Sequence, residues 1–401
     1  MTLKAVIFDY KTLTGLGPDI AADAGRLLDE LGGWGTDWIL FTTHPLSSWQ
    51  RDELAAYPPP ADHVQVADIP GRKPRGSQDW IDTAADRLGL ARNELLYVGQ
   101  TKYDWYTAVN AGVLYLHALW SGPQPVEITA ILAEHPGDVA DFIADFLPEV
   151  PIWYYRIDQD LSMLRSLLPS SATLKASTGP FTLQKVFKYD RKYRVGSYEA
   201  RDLLVLTALT YLYLEGLVPA RSFICVYPSS TPGEVSEQLA DFLKNAASLF
   251  GGYYREDLLV RGHAAPDTSV ERANANAGRP AKTVSIATQA TTVHINPAYR
   301  NKLEGKTVVV VDDFTTRGFS LEWARILLEA AGAEAVVMVA LGKYGSTHTR
   351  FEVRHPEEVT PFELNSLDLA DFRQIPLEPA VDHDAEPSIR ETMQSVIDRD
   401  Q

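Results

Sequence analysis

Val308-Val309-Val310-Val311-Asp312-Asp313-Phe314-Thr315-Thr316-Arg317-Gly318-Phe319-Ser320 is the stretch on which the reading of this chain turns. Four consecutive valines after Gly305-Lys306-Thr307 predict a short strand buried on both faces of a parallel sheet, since such a strand has no polar face to alternate with. Asp312 and Asp313 close that strand. A small-polar loop follows, and then an amphipathic helix from Leu321 to Ala331, ended by Gly332. In an open α/β sheet, ligands gather beyond the carboxyl ends of the strands, where loop amides and a helix N-terminus attract an anion. The backbone from Thr315 to Ser320, with the hydroxyls of Thr315, Thr316 and Ser320, can wrap a phosphate, and Gly318 lets the chain approach it closely. Adjacent carboxylates only accept hydrogen bonds, which suits a pair of sugar hydroxyls or the water around Mg²⁺. The plain alternative is a buried strand that ends in acids before an ordinary turn.

This order of strand, paired acids, loop and helix resembles the PRPP-binding signature of type I phosphoribosyltransferases. The resemblance implies that Asp312 and Asp313 hold the ribose hydroxyls at the reacting centre. It implies also that Thr315, Thr316, Arg317, Gly318, Phe319 and Ser320 hold the 5′-phosphate. Arg317 and Phe319 stand where that family usually has small residues. Members acting on 6-oxopurines carry an acid two residues before the loop glycine; here the position is Thr316, which disfavours such purines as the acceptor.

Composition bounds the rest. A chain of 401 residues has room for two or three domains, and 45% hydrophobic with 22% charged residues is ordinary for a soluble globular protein. A net charge of -16 argues against non-specific binding to nucleic acid or anionic membranes. It also sets a tension, because PRPP is strongly anionic and its site needs local positive potential from Arg317, helix N-termini and a divalent metal. The single cysteine, Cys225, cannot form an intramolecular disulfide, so a cytoplasmic location is expected. Met1 to Phe8 is too short before Asp9 to act as a signal peptide, and no apolar run approaches the ~20 residues of a membrane span.

The first third, residues 1–147, alternates strand and helix patterns. Strands are expected at Lys4–Phe8, Trp38–Phe41, His63–Val66, Glu94–Val98 and Val113–His117, with helices at Ile20–Leu31, Gln78–Leu88 and Trp105–Ala111. That alternation predicts a doubly wound parallel sheet with Asp9, Thr42 and Gly99 at neighbouring strand ends. Ala5-Val6-Ile7-Phe8-Asp9-Tyr10-Lys11, Thr42, Lys73-Pro74 and Leu95 through Asp104 resemble the four motifs of the haloacid dehalogenase-like (HAD) superfamily. The resemblance implies Asp9 as nucleophile and a site for Mg²⁺. Two positions depart from it: Lys11 replaces the aspartate that serves as acid and base, and Gln100 replaces a metal-binding acid, although Asp104 remains. An ammonium cannot take a proton from the attacking water, so phosphatase activity is not expected. Asp9, Lys11 and Lys73 also fit a simple ion-pair cluster.

Prolines from Pro123 to Pro151 punctuate a linker, which places a second domain at 151–345 and an acidic C-terminal extension at 346–401. Thr182–Tyr189 reads as an alternating strand and Glu199–Leu214 as a long apolar helix. Ser222–Tyr227 reads as a strand leading into Pro228-Ser229-Ser230-Thr231-Pro232-Gly233 and a helix, Glu234–Leu249. In type I phosphoribosyltransferases a loop at this place holds pyrophosphate, which implies that role for Ser229, Ser230 and Thr231 at a helix N-terminus. Lys188, Arg261 and Arg272, in surroundings similar to the competence-type branch, could supply positive charge; each is equally at home as a solvated surface residue. Gly262–Ala290 is polar and long enough to be a flap over the site. Helices are expected at Pro361–Phe372 and Ser388–Ile397.

The expected architecture is two doubly wound α/β domains, the first HAD-like and impaired, the second a phosphoribosyltransferase. The expected chemistry is Mg²⁺-dependent displacement of pyrophosphate from PRPP by a nitrogen acceptor, with the metal held mainly by PRPP and water and by Asp312 and Asp313. A non-catalytic PRPP- or nucleotide-binding regulator is the main alternative, and an active phosphatase the third. Acceptor identity is not encoded in any short motif, and the oligomeric state, a homodimer included, is left open.

Overall fold

Apolar runs separated by helix-length crossovers must lie parallel when they meet in one sheet. The computed structural model describes residues 3–187, 193–266, 271, 274, 277–280 and 282–400. Ala5–Asp9, Asp37–Thr42, Asp62–Gln65, Leu95–Gly99, Leu114–Ala118 and Ile131–Ala133 form a six-stranded sheet. Every neighbouring pair in it is parallel. The strand order reverses between Ala5–Asp9 and Leu95–Gly99, so their carboxyl ends border a crevice of the kind where ligands bind. Both strands are buried throughout. Among the elements that escaped the sequence reading, Ile131–Ala133 is only three residues long, and the helix Ser48–Leu54 buries no residue and so shows no apolar stripe.

The chain divides into two compact units. The first holds Met1–Pro151 together with Leu206–Arg221 and Asn245–Tyr253; the second holds Ile152–Val205, Ser222–Lys244 and Tyr254–Gln401. Polar contacts tie the late segments into the first unit. Tyr213 Oη donates to the carbonyl of Leu95 at 2.6 Å, and Asn93 Nδ2 donates to that of Leu214 at 2.8 Å.

In the second unit, Phe223–Val226, Thr307–Thr315, Ala335–Lys343 and Ser162–Pro169 are successive parallel neighbours. Tyr155–Asp158 and then Ala380–Val381 continue the sheet antiparallel. The fold is therefore α/β as expected, with an antiparallel edge on the second sheet. Val308 to Val311 are all buried, with Val308 and Val310 packed beside Leu321, Trp323 and Leu327 of the following helix. That helix spans Phe319–Ala330. Residues set apart as a C-terminal extension contribute the strand Ala380–Val381 and the helix Ala385–Arg399, which buries Ile389, Met393 and Val396.

Two expected elements are different. Leu183–Val186 is a helical turn following a strand, Gly179–Thr182, rather than part of a strand. Leu183, Val186 and Phe187 stand at i, i+3 and i+4, which is the helical period. Lys188 and Tyr189 lie outside the described residues. Within Pro361–Phe372 only a 3-10 turn, Leu369–Asp371, is formed, and Phe372 opens a strand. Asn365 takes the place of helical bonds there: its Nδ2 donates to the carbonyl of Thr360 at 3.1 Å and its Oδ1 accepts from Thr360 N at 2.9 Å. No described helix is long and apolar enough to cross a membrane.

Candidate functional site

The strand Thr307–Thr315 outruns one of its neighbours. On one side pairing ends at Val311 opposite Val226, while on the other it continues from Asp312 opposite Ala340 to Thr315 opposite Lys343. Asp312 and Asp313 thus lie inside the strand rather than closing it, on a segment with one flank open. A cavity of about 300 Å³ fills that flank. Asp312 and Asp313 line it together with Thr315, Thr316, Gly318, Phe319 and Ser320. Across from them stand Ser229, Ser230 and Arg261. Arg317 is exposed and, like Thr231, is not part of the wall.

Each acid turns one oxygen onto the next amide: Asp312 Oδ1 accepts from Asp313 N at 3.0 Å, and Asp313 Oδ1 accepts from Phe314 N at 2.7 Å. Burial, with the adjoining Asp313 carboxyl, pushes the Asp312 carboxyl well above the ordinary carboxylate range. Beyond the acids, the N–H groups of Thr316, Arg317, Gly318 and Phe319 find no acceptor among the described residues. They form a row of donors at the start of Phe319–Ala330.

The loop is braced from behind. Gly318 has φ +88°, and a side chain there would meet the buried ring of His348. His348 Nε2 lies 2.8 Å from Glu322 Oε1, and Glu322 Oε2 accepts from Arg325 Nη2 at 2.9 Å. Against the cost of burial, the His348 hydrogen bond and the Arg325 charge hold the Glu322 carboxyl down at about 2. Lys343, 1% exposed, donates from Nζ to the carbonyl of Thr316 and, at 2.9 Å, to those of Tyr344 and Thr347.

The opposite wall departs from expectation. The helix after the Ser229–Thr231 loop begins at Glu237, so its N-terminus does not hold those hydroxyls. Instead the loop folds on itself, with Ser229 N donating to the Glu234 carbonyl at 2.9 Å. Arg261, for which the sequence left a surface position open, is 4% exposed. It donates to the carbonyl of Ser229, to Thr292 Oγ1 at 2.6 Å and to Gln289 Oε1 at 3.1 Å, fixing the loop while bringing its charge to the cavity. Leu259–Arg261 pairs with Val293–Ile295 at the base of the segment expected to form a flap. From that segment Ala265, Pro266, Val284 and Gln289 reach the cavity wall, and Ile286–Ala290 is helical. Arg272 lies outside the described residues.

No group of three or more His, Cys, Asp or Glu side chains gathers for a metal among the described residues. Asp312 and Asp313 alone fit a hydrated Mg²⁺ that draws its remaining ligands from substrate oxygens and water.

The Asp9 crevice of the first unit is built differently. Its cation is Arg75, a residue the sequence reading passed over in favour of Lys11 and Lys73. Arg75 Nη2 donates to Asp9 Oδ2 at 2.9 Å, and Nη1 lies 3.6 Å from Asp104 Oδ1 and donates to Tyr97 Oη. Its guanidinium stands over the rings of Trp80 at 4.3 Å and Phe41 at 4.9 Å. Lys73 instead pairs with Asp79 at 2.9 Å with most of its length in solvent, and the Lys11 side chain is exposed. Lys11 contributes its backbone N–H, which donates to Asp9 Oδ1 at 3.0 Å. Thr42 Oγ1 is taken up by His63 Nε2 at 2.8 Å. Asp104 caps its own helix, with Oδ2 accepting from Gln100 N at 3.2 Å and Thr101 N at 2.9 Å. Burial, aided by Asp104 and opposed by Arg75, raises the Asp9 carboxyl to about 7. Both Asp9 oxygens are therefore engaged, and a guanidinium stands where a divalent cation would have to sit between the two acids. The crevice does not fit Mg²⁺.

No protein-family model matches the chain, and no curated protein matches it. Among solved structures, it is similar to a HAD-superfamily hydrolase of subfamily IA from Geobacter sulfurreducens, at 15% identity over 35% of this chain and 97% of that one, with a TM-score of 0.27. It is also similar to a haloacid dehalogenase-like family protein from Streptococcus pneumoniae, at 15% identity over 35% of this chain and 99% of that one, with a TM-score of 0.25.

Proposed function

We propose that the second unit is a Mg²⁺-dependent phosphoribosyltransferase that uses PRPP and a nitrogen acceptor. The observation that supports this best is one cavity lined by the Asp312-Asp313 pair, by Thr316, Gly318 and Phe319 with their unpartnered amides, and by the Ser229-Ser230 turn. A ribose lies naturally against the acids, its 5′-phosphate against the amides, and its pyrophosphate towards Ser229, Ser230 and Arg261. In the reaction the acceptor nitrogen forms a bond to C1 while the C1–O bond breaks and its electron pair leaves with pyrophosphate. The sugar carries positive charge as that bond lengthens, and the acids face it. Bound Mg²⁺ supplies charge neutralisation for the leaving pyrophosphate. Arg261 holds the turn that receives this group, and Ala265, Pro266 and Val284 of the cavity wall shield the sugar from water.

In the first unit we propose a phosphate-handling crevice turned structural, with Arg75 satisfying Asp9 and Asp104. Incubation of the protein with PRPP, Mg²⁺ and a panel of nucleobases and amines, read as pyrophosphate release, tests the reading. Release that depends on acceptor and is lost in Asp312→Asn/Asp313→Asn is expected. Binding of PRPP with no turnover on any acceptor would favour a regulatory protein instead.

A further inference from the structure

The carbonyl of Thr316 and the N–H of Arg317 belong to one peptide unit, and that unit is part of the amide row. Behind it sits Lys343, whose ammonium is buried, donates to three main-chain carbonyls and stands 5.0 Å from the Tyr155 ring centroid. No carboxylate pairs with it among the described residues, and burial alone pulls its pKa down to about 8. A buried cation without a counter-charge is costly, and such a cost persists where the charge acts on something else.

We propose that Lys343 is the fixed cation of the phosphate subsite, acting through the backbone. Its ammonium draws on the carbonyl of Thr316, which lines the cavity, polarises the peptide unit that follows, and supplies from behind the loop the positive charge that exposed Arg317 does not bring to the cavity. All three of its N–H groups are used on carbonyls, so it does not touch the ligand; it is a positioning residue. The same contacts hold the 344–347 segment against the loop. This inference rests on the sugar-phosphate reading of the cavity. It adds a residue that neither the paired acids nor the loop sequence announces.

The other titratable groups near Lys343 are Tyr155, whose phenol is pushed up to about 12, and Tyr344 and His348 in the segment that follows; on the paired strand its register partner is Thr315, and Asp313 and Asp312 stand two and three residues before that partner. A protonated Lys343 favours an anion, so ribose 5-phosphate binding should weaken as pH rises through about 8.

Calorimetric titration of ribose 5-phosphate from pH 7 to 9.5, into wild type, Lys343→Met, Lys343→Arg and Asp312→Asn, tests it. Lys343→Met should lose about 10- to 100-fold in affinity at pH 7 and show no step with pH, while Lys343→Arg keeps most of the affinity. Asp312→Asn should bind more weakly yet keep the step. Should Lys343→Arg fail to fold, the pH profiles of the other variants still decide. Wild-type affinity in Lys343→Met, or an unchanged pH step in it, overturns the role of Lys343 while leaving the sugar-phosphate site standing. Absence of binding in wild type overturns both.

Discussion

Gly318→Ala is the sharpest test of how the phosphate loop is built. Two separable costs attach to it. Gly318 sits at φ +88°, in the left-handed region, where an alanine loses roughly 1–2 kcal/mol. Its Cβ would also lie 3.0 Å from His348 Nε2 and closer still to Cε1, so the buried imidazole must move. Moving it breaks the 2.8 Å contact with Glu322, worth about 1.5–3 kcal/mol for a bond to a charged group. The total expected loss is roughly 2.5–5 kcal/mol. Gly345→Ala provides the comparison, since its φ is +67° but nothing lies within 4 Å of the added carbon; it should lose only the backbone part. Urea unfolding of both variants measures the difference, provided the m-value is unchanged. Ribose 5-phosphate titration then shows whether the His348 brace also serves the ligand. Equal losses in the two variants, or none in Gly318→Ala, would refute the packing of Gly318 against His348.

Further outcomes concern the first unit. Arg75→Met strips the shared cation from two buried acids and should destabilise by about 3–5 kcal/mol at pH 8, less at pH 5 where Asp9 can take a proton. The Asp9 carboxyl is raised from 3.8 to about 7, so its contribution to stability is full below 3.8 and lost as pH rises through about 7; Asp9→Asn should flatten stability over that window in thermal unfolding. Hydrolysis of p-nitrophenyl phosphate should stay at background and be indifferent to Asp9→Asn, because both oxygens of the carboxylate are engaged; Asp9-dependent turnover would contradict this.

What was legible from sequence follows local physics. The Val308–Val311 run and the apolar strands of the first third declare themselves because burial on both faces leaves no other composition. The loop with Gly318 was visible because a glycine between hydroxyl residues ahead of a helix has few other uses. Arg75 and Lys343 were not legible. A cation two residues after Lys73 looks like one more surface charge until Trp80, Phe41 and Tyr97 close around it. Lys343, at the end of an apolar strand, reads as that strand's soluble terminus until the Thr316 carbonyl is found against it. Arg261 was noticed as a possible source of positive charge, but its burial was not legible, because its partners Gln289 and Thr292 arrive from the far end of a long excursion. The helical turn at Leu183–Val186 was open to reading, since the i, i+3, i+4 spacing was present and alternation was preferred over it.

The central claim is that Asp312 and Asp313 receive a ribose whose 5′-phosphate lies on the amides before Ser320. Calorimetric titration of PRPP with Mg²⁺ into wild type and Asp312→Asn/Asp313→Asn addresses it most directly. The double substitution is nearly isosteric and leaves the valine strand and the amide row in place, so the fold should survive. The hydrogen bonds from the ribose hydroxyls to the two acids, at ~1.5–3 kcal/mol for each acid that is charged, are weakened together. Saturable binding in wild type and a loss of at least about 10²-fold in the double variant is the predicted result. Equal affinity in the two proteins would contradict the account.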